Sequence, residues 1–268
     1  DVAPSRGLGD VYKRQTFKPV TVASALEEGV VKDGDTYVCK GFETVADYKL
    51  KCHVFSTIGS HGSLTVEQAL MNSCNPYMIH LALEMGNSRF AYYQSLFGFG
   101  KITGIDLPGE TTGIVYGDRM TTIDAACNSF GQTINVNMMQ MMAAYCSIIN
   151  GGMLYQPHIV KRIESANGEV VKEYKANLVR QTITASTSKL LRRYLKNTVE
   201  EGTAKKAGVT GYSVAGKTGT AQKGDRKDNK WIISFIGHAP AENPKFAIYV
   251  VIDEPYGCLL YTSPSPRD

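Results

Sequence analysis

Polar caps and glycine stops cut the apolar stretches of this chain into helix-length pieces as far as about residue 201, and polar turns cut the rest into strands. Residues 16–28 read as a helix. Pro19 is tolerated in its first turn, Val20, Ala23, Ser24 and Ala25 keep it small and mostly apolar, and Gly29 stops it. Thr65 and Gln68 form a capping box that opens a helix through Met71. The pattern breaks at Ser73-Cys74-Asn75-Pro76, and a further helix runs over 76–85 to Gly86. Ser88 then caps a helix over 88–97, ended by Gly98. A shorter helix is expected at 121–130 and a longer one at 137–149, whose Met138, Met139, Met141 and Met142 read as core filler. Ser186 or Thr187 caps the last helix, which runs to about Glu201.

Strand patterning is concentrated later in the chain. Residues 159–164 and 169–174 alternate around Asn167-Gly168, a hairpin signal. Three more strands, at 212–222, 231–238 and 245–253, are joined by turns at 223–229 and 240–243, so an antiparallel meander is the simplest topology. The irregular stretch 30–62 holds only short strand-like pieces such as Thr36-Tyr37-Val38. Helices first and an antiparallel sheet last is the pattern of one α+β domain, an antiparallel sheet packed with helices.

Composition changes this picture little. The 268 residues, 43% of them hydrophobic, can bury a sizeable core. The 29 Lys and Arg against 25 Asp and Glu are dispersed, with no basic block interleaved with aromatics, which argues against nucleic-acid binding. No run of 18 apolar residues is present. The two ends look foreign to the rest. Residues 1–15 and the tail 258–268 resemble translated adapter read-through, so the native frame is expected to span 16–257.

Six cysteines occur, and Cys258 belongs to the suspect tail. Cys74, Cys127 and Cys146 lie in apolar stretches and read as small buried hydrophobes. Cys39 and Cys52 flank a short polar segment. Three readings stay open for them: a disulfide, two free thiols, or a metal pair without partner ligands. No cofactor motif and no metal site is read from the sequence.

Three short motifs carry candidate chemistry, in the order Gln15-Thr16-Phe17-Lys18, Ser73-Cys74-Asn75 and Lys217-Thr218-Gly219-Thr220. Each alone is ordinary: a first-turn lysine, a helix-junction cap, a glycine-softened strand. Together they follow the ordered set S-x-x-K, S-D-N and K-T-G of serine acyl-enzymes, with Gln in place of the first Ser, Cys in place of the Asp, and the third motif intact. Acyl transfer needs a nucleophile, a base beside it, an oxyanion site and a clamp for a carboxylate. Positions 15 and 18 share one helix face. A serine at 15 would lie at a helix N-terminus, and Lys18, if dry and near a second cation, could accept its proton. Here Gln15 stands at the position of that nucleophile. Ser73 could relay a proton, and the Asn75 amide could hold a substrate backbone group. Gly216 and Gly219 leave room for a ligand against the strand. Lys217, with the hydroxyls of Thr218 and Thr220, could bind a carboxylate, and the Thr220 N–H could complete an oxyanion hole.

These residues resemble the transpeptidase domain of class B penicillin-binding proteins over nearly all of 16–257. The flanks agree as well: Ala25-Leu26-Glu27-Glu28-Gly29 after the first motif, Asn72 and Pro76 around the second, Phe130-Gly131-Gln132 with Gln140 and Ala143-Ala144-Tyr145, and Val214 to Gln222 around the third. The Cys39 and Cys52 pair is similar to the sporulation-specific branch. The resemblance implies a penicillin-binding protein/β-lactamase-like fold, with the family's opening strand and closing helix missing here. It implies a D,D-transpeptidase that cross-links peptidoglycan stem peptides and is acylated by β-lactams. It also implies a membrane anchor in a full-length parent at the extracytoplasmic face of the bacterial membrane. That parent would work with a glycosyltransferase and with division, elongation or sporulation proteins. Glutamine cannot form an acyl-enzyme, so this chain is expected to be silent. The rival readings are a β-lactamase or β-lactam sensor of the same superfamily, and a non-catalytic peptide-binding module in which Gln15 is natural. The β-lactamase reading lacks a convincing water-activating base.

Overall fold

The computed structural model describes residues 15–223 and 230–255. Residues 1–14 and 258–268 of the two ends read as foreign, and most of the turn expected at 223–229, lie outside the described residues. A short 3-10 turn at Gln15–Phe17 leads into helix α1, Lys18–Glu28. Every residue from Lys18 to Ala25 is buried, so α1 runs through the middle of the molecule and is in contact all round. Gly29 ends it in the left-handed region at φ 78°, donating its N–H to the carbonyls of Ala25 and Leu26.

The irregular stretch that follows is more ordered than its sequence suggests. Strand β1 (Thr36–Cys39) pairs antiparallel with β4 (Gly62–Thr65), and β2 (Phe42–Val45) and β3 (Tyr48–Lys51) form a hairpin between them. Thr65 and Gln68 make the expected capping box on α2, Val66–Met71. Helices α3 (Asn75–Met85) and α4 (Asn87–Leu96) are separated by Gly86 alone. Gly86 at φ 77° both ends α3 and opens α4, so Ser88 lies inside α4 and not at its cap. Capping boxes Thr121/Asp124 and Asn137/Gln140 start α5 (Thr122–Ser129) and α6 (Met138–Ile149). Of the four methionines of α6, only Met141 is fully buried.

Strand β5 (Met153–Gln156) pairs with β8 (Asn177–Gln181), and the expected hairpin, β6 (Arg162–Glu164) with β7 (Val170–Glu173), projects between them. Thr184 caps α7 (Ala185–Glu200), ahead of the expected Ser186 or Thr187. It wins because the Glu27 carboxylate accepts from both its N–H and its hydroxyl and fixes it at the helix entry.

The main sheet is the expected meander. Strands β9 (Ala215–Lys223), β10 (Lys230–Ala239) and β11 (Phe246–Asp253) are antiparallel in the order β11-β10-β9. Helices α6 and α7 pack on one face of it. Buried Tyr145 on α6 ties helix to sheet. The His238 Nε2–H donates to the Ala241 carbonyl (3.2 Å), which leaves Nδ1 to accept from the Tyr145 hydroxyl at 2.8 Å. Burial holds His238 down at about 4, so the ring is neutral. On the other face of β11, Phe246, Ile248 and Val250 are exposed. Among the described residues no helix is long and apolar enough to cross a membrane.

Candidate active site

The kink between α2 and α3 is where the first two motifs meet. The chain leaves α2 at Asn72 and re-enters a helix at Asn75, with Pro76 in the first turn. Ser73 takes the left-handed conformation at φ 54°, unusual for a residue with a Cβ. Such backbone costs on the order of 1–3 kcal/mol and persists only where its surroundings fix it. Two backbone bonds do so: Ser73 N–H to the Leu70 carbonyl (3.1 Å) and Cys74 N–H to the Ala69 carbonyl (2.8 Å).

The result aims three oxygens at one ammonium. Lys18 Nζ donates to the Ser73 carbonyl (2.5 Å), to Ser73 Oγ (2.9 Å) and to Asn75 Oδ1 (2.7 Å), which uses all three of its N–H donors. Asn75 in turn donates from Nδ2 to the Lys51 carbonyl at 3.2 Å, a partner that no sequence motif announces. Lys18 is fully buried, and burial lowers it to about 8, while the thiols of Cys52 and Cys74 pull the other way. Lys18, three positions after Gln15, therefore gives up its proton more readily than an ordinary lysine.

The third motif arrives on β9. Lys217 is fully buried and donates to the Thr218 carbonyl (3.0 Å). Burial pushes its ammonium well below the usual lysine range, and the charge of Lys18 adds to that, so the two cations share one dry cleft. Gly219 explains how the strand comes so near. A Cβ there would lie 2.7 Å from Ser234 Oγ and 3.0 and 3.1 Å from Cγ2 and N of Thr16. The bare backbone thus seats the turn carrying Gln15 and Thr16 against β9, a use beyond the ligand clearance expected for it. Thr16 Oγ1 is also 3.2 Å from the Tyr249 hydroxyl on β11. Thr218 is buried, and Thr220, half-buried, sits opposite Ile233 in the β9–β10 register. Gln15 opens the 3-10 turn three positions before Lys18.

Cys39 and Cys52 do meet, but not alone. Both are free thiols, as is Cys74. One ligand atom each from Cys39, Cys52, His61 and Cys74 lies within 4.8 Å of the others. Cys74 is buried in the core as expected, and two side chains of metal-binding type, His61 and Cys74, lie beside Cys39 and Cys52. No two of the four positions lie closer than nine residues, so no ligand spacing was there to be read.

Residues 16–265 match the family described as penicillin binding protein transpeptidase domain. The chain belongs to this family. Stage V sporulation protein D of Bacillus subtilis (strain 168) is 40% identical to this transpeptidase domain over 252 residues, covering 92% of the chain and 38% of that protein. The D,D-transpeptidase domain of a peptidoglycan glycosyltransferase from Eggerthella lenta superposes with a TM-score of 0.83 at 28% identity, over 93% of this chain and 62% of that one. A complex of penicillin binding protein 3 from Mycobacterium tuberculosis with aztreonam superposes equally well (TM-score 0.83, 27% identity), over 94% and 57% of the two chains. The chain spans about two-fifths of the length of the curated relatives it matches. The mixed helix-and-sheet fold expected from the sequence is that of these penicillin-binding transpeptidase domains.

Proposed function

We propose that residues 16–257 are the transpeptidase domain of a peptidoglycan D,D-transpeptidase, which cross-links stem peptides through a serine acyl-enzyme and is acylated by β-lactams. The observation that carries this reading is the buried Lys18 ammonium, bonded to Ser73 Oγ and Asn75 Oδ1 beneath the Lys217 strand.

With serine at position 15, neutral Lys18 takes the hydroxyl proton as Oγ attacks the D-alanyl carbonyl carbon. The oxyanion forms at the Thr220 N–H. As the tetrahedral centre collapses, the peptide C–N bond breaks and the leaving amine receives a proton through Ser73. An acceptor amine then attacks the ester, and its proton returns along the same route to the serine oxygen. Lys217, with the Thr218 and Thr220 hydroxyls, holds the substrate carboxylate, which is why a cation is kept in an apolar place.

Gln15 supplies no nucleophile, so this chain is expected to be silent towards penicillin. The parent protein acts at the extracytoplasmic face of the membrane, beside a glycosyltransferase, and the likeness to a sporulation protein favours a sporulation role over division or elongation. Labelling with fluorescent penicillin tests the reading. The chain as it stands gives no band after denaturation, and Gln15→Ser gives one; silence from a folded Gln15→Ser chain overturns the site. Gln15 itself favours one other reading, a cleft that captures peptide without reacting. A reversible complex with a D-alanyl-D-alanine peptide, undiminished while Gln15→Ser stays unlabelled, would identify it.

A further inference from the structure

We propose that Cys39, Cys52, His61 and Cys74 form a closed, structural site for one tetrahedral zinc-type metal ion, which clamps the 73–75 kink to the small sheets beside it. Four observations converge on it. The donor atoms all fall within 4.8 Å of one another, and His61 Nδ1 is 3.6 Å from Cys52 Sγ and 3.8 Å from Cys39 Sγ. Zinc at about 2.3 Å from sulfur and about 2.0 Å from nitrogen in a tetrahedron sets S···N edges of about 3.6 Å and S···S edges of about 3.8 Å.

The donors are also soft: three thiols and an imidazole with no carboxylate among them, a set that selects zinc over magnesium or calcium. Each donor is carried by ordered backbone. Cys39 ends β1, Cys52 follows β3, His61 precedes β4 and Cys74 is the residue from which α3 starts. Finally, the three sulfurs are buried and His61 closes the rim half-buried. A disulfide would join two sulfurs at about 2.05 Å and leave a third thiol and the imidazole beside it without purpose.

Four protein donors leave no open position for water or substrate, which makes the site structural. Its place gives it a task. Cys74 lies between Ser73 and Asn75, the residues that hold Lys18, and Asn75 also bonds the carbonyl of Lys51, the neighbour of Cys52. A metal on Cys52 and Cys74 therefore ties down both ends of that bond. His53 approaches only one of the sulfurs, Nδ1 to Cys52 Sγ at 3.8 Å, and is exposed, so it stands outside the set.

Elemental analysis of the purified 268-residue chain, kept reduced, is the test. The expected result is about one zinc per chain surviving gel filtration, as for a closed thiolate site. Cobalt exchange should give the intense visible bands of a tetrahedral ion with thiolate charge transfer. Cys39→Ser and Cys74→Ser each remove a ligand and should weaken metal retention by more than the roughly 10–100-fold that loss of an outer-shell partner costs, while His53→Ala and Cys146→Ser keep the full amount. The unaltered chain decides the matter even if a ligand variant fails to fold. A folded chain without metal whose three thiols react freely, a Cys39–Cys52 disulfide by mass under non-reducing conditions, or an octahedral cobalt spectrum would each overturn the site.

Discussion

Across residues 73–75 neighbouring side chains part company. Ser73 and Asn75 turn to a buried ammonium, while Cys74 turns to two other thiols and an imidazole. The two sides differ in how they are made. The cationic side is assembled from three short motifs, each contiguous in sequence, and the three donors of its Lys18 ammonium are matched to three oxygens. The sulfur side takes single residues from four separate places and relies on burial to hold them together. One strained backbone position serves both, so the chemistry of one side and the support of the other are read out at the same kink.

The largest test of that division is Gln15→Ser. Covalent penicillin labelling should appear where none existed, since a missing nucleophile costs about a million-fold in turnover. A Gln15→Ser chain that carries zinc yet never labels would show that only the sulfur side is intact. Next in size, Lys18→Met in the Gln15→Ser background should slow labelling by about 10²–10⁴-fold, the usual worth of a general base, with zinc content unchanged. Where Lys18 is present, labelling should follow the neutral amine, rising with pH to a half-maximum near 8, because burial lowers the lysine to about that value. A rate that is flat from pH 6 to 10 would assign the base elsewhere.

Gly219→Ala sharpens the comparison by moving β9 away from the turn at Thr16 without touching the thiols. The clash should cost about 1–3 kcal/mol, the range for overpacking, visible in the thermal midpoint and in Gln15→Ser labelling. The smallest effect is expected far from both sides. Lys196→Met removes a surface ion pair with Glu242 (2.7 Å) and should shift stability by less than about 1 kcal/mol.

What the sequence revealed follows this same division. Contiguous signals were legible: the Thr65/Gln68 box, Gly29 as a stop, the meander, and the three motifs in order. Signals that depend on tertiary partners were not. Ser88 looked like a cap until Gly86 proved able to end one helix and start the next, and Thr184 outcompeted Ser186 through Glu27. The β5–β8 pair escaped notice because its strands are short, part polar and separated by the β6–β7 hairpin. The thiol set escaped because its spacing exists only after β1, β4 and α3 are folded together.

The neighbouring burial of Lys18 and Lys217 has a thermodynamic corollary. With its ammonium disfavoured both by dryness and by a like charge, Lys217 holds its proton less tightly than an ordinary lysine. An arriving carboxylate opposes both effects and tightens the hold on that proton. Affinity for an anionic ligand would then slacken once the medium becomes alkaline enough to discharge Lys217.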